Sequence, residues 1–147
     1  MERGPALVKI TASDGKVSYG ATTIQPSAPA IFTLSQQGSG EAAALDAFTF
    51  TPAPFVAVRP NGEPNIIAVF GTGLGEDATD LDGNFNSNVR ATLDDQAIVV
   101  AYAGRSPGLT GVNQLNLMFP AGLSAGNHRL KVFRGGLVSN EVTIMTR

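Results

Sequence analysis

Val112-Asn113-Gln114-Leu115-Asn116-Leu117-Met118-Phe119 is the stretch that decides the fold. Leu115, Leu117 and Phe119 alternate with Gln114 and Asn116, and a period of two sends alternate side chains to opposite faces of a strand. A half-buried strand of this kind needs a second apolar layer to cover its inner face. Working outward, runs of similar length recur at Leu7 to Thr11, Val17 to Ile24, Ile31 to Leu34, Ala42 to Phe50, Phe55 to Val58 and Ile66 to Phe70. They continue at Val89 to Leu93, Ile98 to Ala101, Arg129 to Phe133 and Val138 to Met145. Turn residues fill the gaps, among them Ser13-Asp14-Gly15, Asp94-Asp95 and Gly135-Gly136. Strands every roughly 8–12 residues with a turn signal in each gap give a sandwich, not a βαβ fold. The expected core includes Phe70, Val99, Leu115, Leu117 and Val132.

Composition agrees with an all-β chain of one domain size. The 147 residues contain 17 Gly and 9 Pro, and the one short helix-friendly stretch, Glu41 to Leu45, leads into Phe48-Thr49-Phe50, where a strand is expected. With 15% charged residues and a formal net charge of -2, the chain lacks the basic surface that nucleic acid demands. No apolar run approaches the roughly 18–20 residues of a membrane-spanning helix. Zero Cys and a single His exclude thiol chemistry and the usual zinc ligand sets.

The N-terminal hairpin repeats the C-terminal one. Lys9-Ile10, Gly15-Lys16-Val17-Ser18 and Thr23-Ile24 parallel Lys131-Val132, Gly136-Leu137-Val138-Ser139 and Thr143-Ile144, with small insertions in the first copy. Residues 1–27 therefore read as the closing hairpin of an upstream unit or as an assembly arm, and residues 28–147 as the sandwich. A two-stranded hairpin is marginal alone in water. It is expected to pack on the main sandwich, on an upstream domain or on an identical subunit. Met1 to Pro5 carries no apolar signal-peptide core.

A set of ordered motifs adds a resemblance. Ala28-Pro29-Ala30-Ile31-Phe32-Thr33, Gly38-Ser39-Gly40-Glu41-Ala42-Ala43-Ala44-Leu45, Gly71-Thr72-Gly73-Leu74-Gly75, Tyr102-Ala103-Gly104, Pro107 to Asn116 and Pro120-Ala121-Gly122-Leu123 occur in that order. Together they resemble a family of uncharacterised C-terminal domains of secreted acidobacterial (Solibacter-type) proteins, over nearly the whole chain from Ala28. The resemblance implies an immunoglobulin-like antiparallel β-sandwich, exported, often placed after repeats or enzymes, with no activity to carry over. The chain departs from the family pattern at Phe48 to Asn65 and in the acidic loop after Gly75.

Each candidate chemistry has a plainer reading beside it. Gly71-Thr72-Gly73-Leu74-Gly75 follows a strand as a dinucleotide loop would, yet Glu76, Asp77 and Asp80 follow where a helix N-terminus should meet phosphate, so a turn or bulge is expected. Asp77, Asp80, Asp82, Asn84 and Asn86 offer alternating oxygen ligands of the kind calcium prefers, with Asp80, Asp82 and Asn84 the chosen ligands. Calcium is the one cofactor kept open, but the EF-hand register fails, with Ala78 at the first ligand position and Val89 at the last, and a solvated turn is the plainer reading. His128, at a strand start, is expected on the surface, with no Gly-x-Ser-x-Gly elbow to serve. Asp94-Asp95 is expected to be turn chemistry with both carboxylates in solvent. Gln114 and Asn116 share a face, either as a ligand stripe or as a solvent- or domain-facing surface whose side-chain amides satisfy nearby backbone. The eight Phe read as core, and without Trp the strongest marker of a carbohydrate platform is missing. The expected function is a non-catalytic extracellular module, structural, spacer or adhesive. The alternatives are a filament subunit joined by strand complementation, and a calcium- or sugar-binding accessory module.

Overall fold

The computed structural model describes residues 4–75 and 88–147. Those residues form an all-β fold with no α-helix, in two separate sheets. A hairpin of β1 (Gly4–Thr11) and β2 (Val17–Ile24) makes a two-stranded sheet of its own. The body consists of β3 (Ala30–Ile31), β4 (Ala44–Asp46), β5 (Ile66–Thr72), β6 (Val89–Leu93), β7 (Gln96–Arg105), β8 (Asn113–Met118), β9 (Gly126–Arg134), β10 (Leu137–Val138) and β11 (Val142–Thr146).

The body is an antiparallel sandwich of the immunoglobulin-like kind, curled until it is nearly closed. Strand β7 makes the corner. Its first residues, Gln96 to Ile98, pair with β6, and Val99 to Arg105 pair with β8 across a bulge between Val100 and Tyr102. One layer is β10 and β11 on β9, then β6 and the start of β7; the other is the end of β7, then β8, β5, β3 and β4. A bulge bends a strand and adds twist, which lets one strand serve both layers. The opposite seam is closed by parallel contacts of β11. Ala42 N–H donates to Thr143 O (3.0 Å), Thr143 N–H to Gly40 O (2.8 Å), Phe55 N–H to Met145 O (2.9 Å) and Arg147 N–H to Phe55 O (2.9 Å).

Between the layers Leu115 and Leu117 of β8 meet Leu130 and Val132 of β9, with Ile67 and Val69 of β5 and Ile144 of β11 around them, all buried. The expected core thus holds at Leu115, Leu117 and Val132. It fails at Val99, which is 58% exposed, and at Phe70, which is half-buried. In β7 Ile98 and Val100 pack on the core from either side of Val99, so Val99 points away, and past the bulge Ala103 is buried in it.

Phe48-Thr49-Phe50 is a turn instead of a strand. The Asp46 carboxylate accepts the N–H groups of Phe48 and Thr49 (2.9 Å each), and Asp46 O accepts that of Phe50 (2.9 Å). Local capture of main-chain donors by an aspartate outweighs the β-propensity of the aromatics. Phe50 is left at φ 58° and 74% exposed. Phe32 and Phe48 are exposed as well, and among the described Phe only Phe55 and Phe119 are buried, so the aromatics are less of a core than their strand-like runs suggest.

Candidate functional site

The β1–β2 arm exposes its apolar residues along both strands, with no core of its own. The register pairs Leu7 with Ala21, Val8 with Gly20, Lys9 with Tyr19 and Ile10 with Ser18. Leu7, Tyr19 and Val17 therefore share one face, and Val8, Ile10 and Ile24 the other. Apart from Gly4, Ala6 and Ile24 at its base, every residue of both strands is exposed, with Leu7 at 70% and Ile10 at 64%. The arm does not pack its faces on the body, so the first of the three expected seats is not used.

The arm is nevertheless firmly attached. From Pro26 to Ile31 the chain runs beside the end of β5, with Ala30 paired to Thr72, Ile31 to Gly71, and Ala28 N–H donating to Gly73 O (2.7 Å). The glycines at 71, 73 and 75 make this approach possible. A Cβ at Gly71 would collide with Ala30 O, one at Gly73 with Ala28 O and one at Gly75 with Pro26 O. Gly73 (φ 75°) and Gly75 (φ 69°) also hold a left-handed backbone that only glycine adopts freely. The motif read as a turn is a track in which alternate absent side chains admit alternate carbonyls. Leu74, between the glycines, is buried, and its N–H donates to Asn113 Oδ1 (3.0 Å). A cleft of about 970 Å3 lies where the base of the arm, at Gln25 and Pro26, faces Ser106 and Asn113.

Asn140 holds the other side of the same region and was hidden inside an apparent strand run. Its side-chain amide accepts from Ile31 N–H (2.8 Å) and donates to Ile31 O (3.0 Å) and Gly38 O (2.8 Å). One amide thus takes the place of a strand neighbour for the edge strand β3. The polar step Ser139-Asn140-Glu141 in an otherwise apolar run was the signal that β10 and β11 are separate.

The other candidates resolve as follows. Asp94 and Asp95 are the hairpin turn expected, at φ 50° and 65°, but they are not simply solvated. Asp94 Oδ1 accepts Arg129 N–H (2.8 Å), and Asp95 accepts from Arg129 Nη2 (2.9 Å) and Lys131 Nζ (2.7 Å). The Arg129 N–H and the His128 ring hold the Asp94 carboxyl below its ordinary range; Lys131 does the same for Asp95.

His128, expected on the surface, is buried at 5% exposure. Its Nδ1 lies 2.7 Å from Asp94 Oδ2, and its Nε2 lies 3.0 Å from both Ser124 O and Thr146 Oγ1. Even strand parity explains the burial, since His128, Leu130 and Val132 share the inner face of β9. An acid, an imidazole and a hydroxyl stand in series here, but Thr146 is itself buried and its Oγ1 donates to Ser124 O (2.8 Å). The series fastens β9, β11 and the β6–β7 turn together.

Gln114 Nε2 donates to Asn116 Oδ1 (2.9 Å) and Ser106 Oγ to Gln114 Oε1 (3.3 Å), so these amides satisfy each other. The calcium candidates Asp80, Asp82 and Asn84 lie outside the described residues, as does the rest of the acidic loop after Gly75. Among the described residues no cluster of three or more His, Asp or Glu is placed to hold a metal ion, and no helix is long and apolar enough to cross a membrane. No protein-family profile matches the chain, and no curated protein matches it in sequence.

Proposed function

We propose that this chain is a non-catalytic extracellular β-sandwich module of a secreted bacterial protein, with a structural, spacer or adhesive role, and that it joins a neighbouring sandwich through its N-terminal arm. The exposed apolar faces of β1–β2 carry the reading. A two-stranded ribbon with Leu7, Ile10 and Tyr19 in water is short of stabilising contacts by itself and is completed by a neighbour. The track along Gly71, Gly73 and Gly75 supports it too, because a linker locked to the body by its backbone holds whatever the arm joins at a set angle.

A second reading, a filament subunit joined by strand complementation, draws on the unpaired outer edges of β1 and β2. Calcium at Asp80, Asp82 and Asn84 is a third, to be read by titration with calcium chloride. Amide hydrogen exchange on the dilute chain tests the joining role. Arm amides are expected to exchange far faster than those of β8. Arm amides as protected as β8 in a dilute monomer would show a self-sufficient arm and end the joining role.

A further inference from the structure

The geometry points to the partner of the arm: a β-sandwich whose own closing-hairpin position is vacant, which the arm fills with Val8, Ile10 and Ile24 as core residues. This rests on the joining role proposed above and names what is joined.

The internal repeat supplies the first observation. Lys9-Ile10 aligns with Lys131-Val132 and Thr23-Ile24 with Thr143-Ile144, which sets Val8, Ile10 and Ile24 opposite Leu130, Val132 and Ile144. All three counterparts are buried in the core of the body. The turns correspond as well, with Gly15 at φ 83° and Gly136 at φ 82°. The faces agree: Val8, Ile10 and Ile24 fall on one face of the arm, as Leu130, Val132 and Ile144 do in the body, with Ile24 opposite Gly4 and so one rung further from the turn than Ile144, which lies opposite His128. The arm is thus patterned as a closing hairpin, with Val8 and Ile10 of its core face in water and Ile24 half-buried at its base.

A second copy of the body is not a fitting acceptor. Its closing position is already taken by β9, β10 and β11, and β9 is paired on both sides, to β6 and to β11. Two arms stacked on each other are not sufficient either. Eight residues at roughly 3.4 Å each, two strands about 4.8 Å apart, give a face near 27 by 10 Å, so a stacked pair buries roughly 500–600 Å2 where stable interfaces need about 1,200 Å2. A sandwich lacking its last hairpin covers the Val8–Ile10–Ile24 face and can also pair the free edge of β1, as β6 pairs β9.

The test uses full-length chains. In a chimera, Val8–Ile24 carrying Tyr19→Asn, which restores the Asn140 clasp, replaces Leu130–Ile144. A single cooperative thermal transition is expected, retained when the graft carries Lys9→Asp and lost when it carries Ile10→Asp. A chimera with no cooperative transition, indistinguishable from its Ile10→Asp form, overturns the assignment. In parallel, native mass measurement of the unmodified chain is expected to give a monomer. An oligomer that Ile10→Asp dissolves makes a second copy the acceptor and overturns this inference, yet leaves the joining role standing. Loss of the joining role is read separately, from arm amides already protected in the dilute monomer.

Discussion

Asp46 and Asn65 show how much of this fold rests on a few polar side chains. Asn65 is fully buried; its amide nitrogen donates to Asp46 Oδ2 (2.7 Å) and to Val56 O (2.9 Å), and its Oδ1 accepts Ile66 N–H (2.9 Å). Burial pushes the Asp46 carboxyl up, but the Asn65 amide and the N–H groups of Thr49 and Phe48 outweigh it and leave it below the usual range. Since the folded value is depressed, Asp46 and Asp94 stabilise the fold fully above the ordinary carboxylate value of about 3.9, and that contribution is lost as pH falls through their folded values. The melting temperature is expected to drop on acidification below about pH 4, and Asp46→Asn to flatten that dependence while lowering stability at neutral pH by about 1–3 kcal/mol. Scanning calorimetry across that range checks both; an unaltered acid limb in Asp46→Asn counts against the role given to Asp46. The glycine track offers a paired test. Gly62 (φ 84°) has open space where a Cβ would go, whereas Gly73 (φ 75°) faces Ala28 O. Gly62→Ala is expected to cost about 1 kcal/mol for the backbone alone, and Gly73→Ala clearly more, in urea denaturation. A turn motif was legible in Gly71 to Gly75; the carbonyls that fill its missing side chains belong to residues some forty-five positions earlier, and no local pattern announces them.

Strand β8 is the element that composition and period describe best, because both of its faces are settled by alternation. Leu117→Ala is expected to cost about 2–5 kcal/mol, since the side chain is enclosed from both layers and its loss leaves a cavity; equilibrium denaturation reads it, and an unchanged midpoint would remove Leu117 from the core. Strand β7 was harder. Its bulge shifts parity between Val100 and Tyr102, and parity errors turn a whole strand inside out. The β9 histidine was misplaced for a related reason: a polar residue next to a turn reads as surface, but the strand begins at Gly126, two residues before it, and the inner-face parity claims His128. His128→Ala is expected to loosen the Asp94 turn and the end of β11 together, lowering the melting temperature, with the exchange of amides in those two segments rising in step.

At the scale of the molecule, the sandwich and its added hairpin follow from strand count, turn residues and the internal repeat. That the hairpin stands off its own body is a matter of tertiary packing, which the repeat left open among three seats. Deleting residues 1–25 is expected to leave the thermal transition of the body within about 1 kcal/mol of the full chain, because an arm without core contacts lends it little; a large loss of stability would place the arm within the body's cooperative unit. One further consequence is mechanical. The last strand, β11, runs parallel to the Gly40–Ala42 segment and to Phe55, bound to them by four main-chain hydrogen bonds. Tension drawn through the chain from the arm to Arg147 pulls such a parallel seam lengthwise, so its bonds share the load and yield together, whereas an antiparallel hairpin pulled from its open end parts one rung at a time. A module of this build is expected to resist stretching more than its thermal stability alone suggests, which force spectroscopy of the chain pulled from its two ends reads.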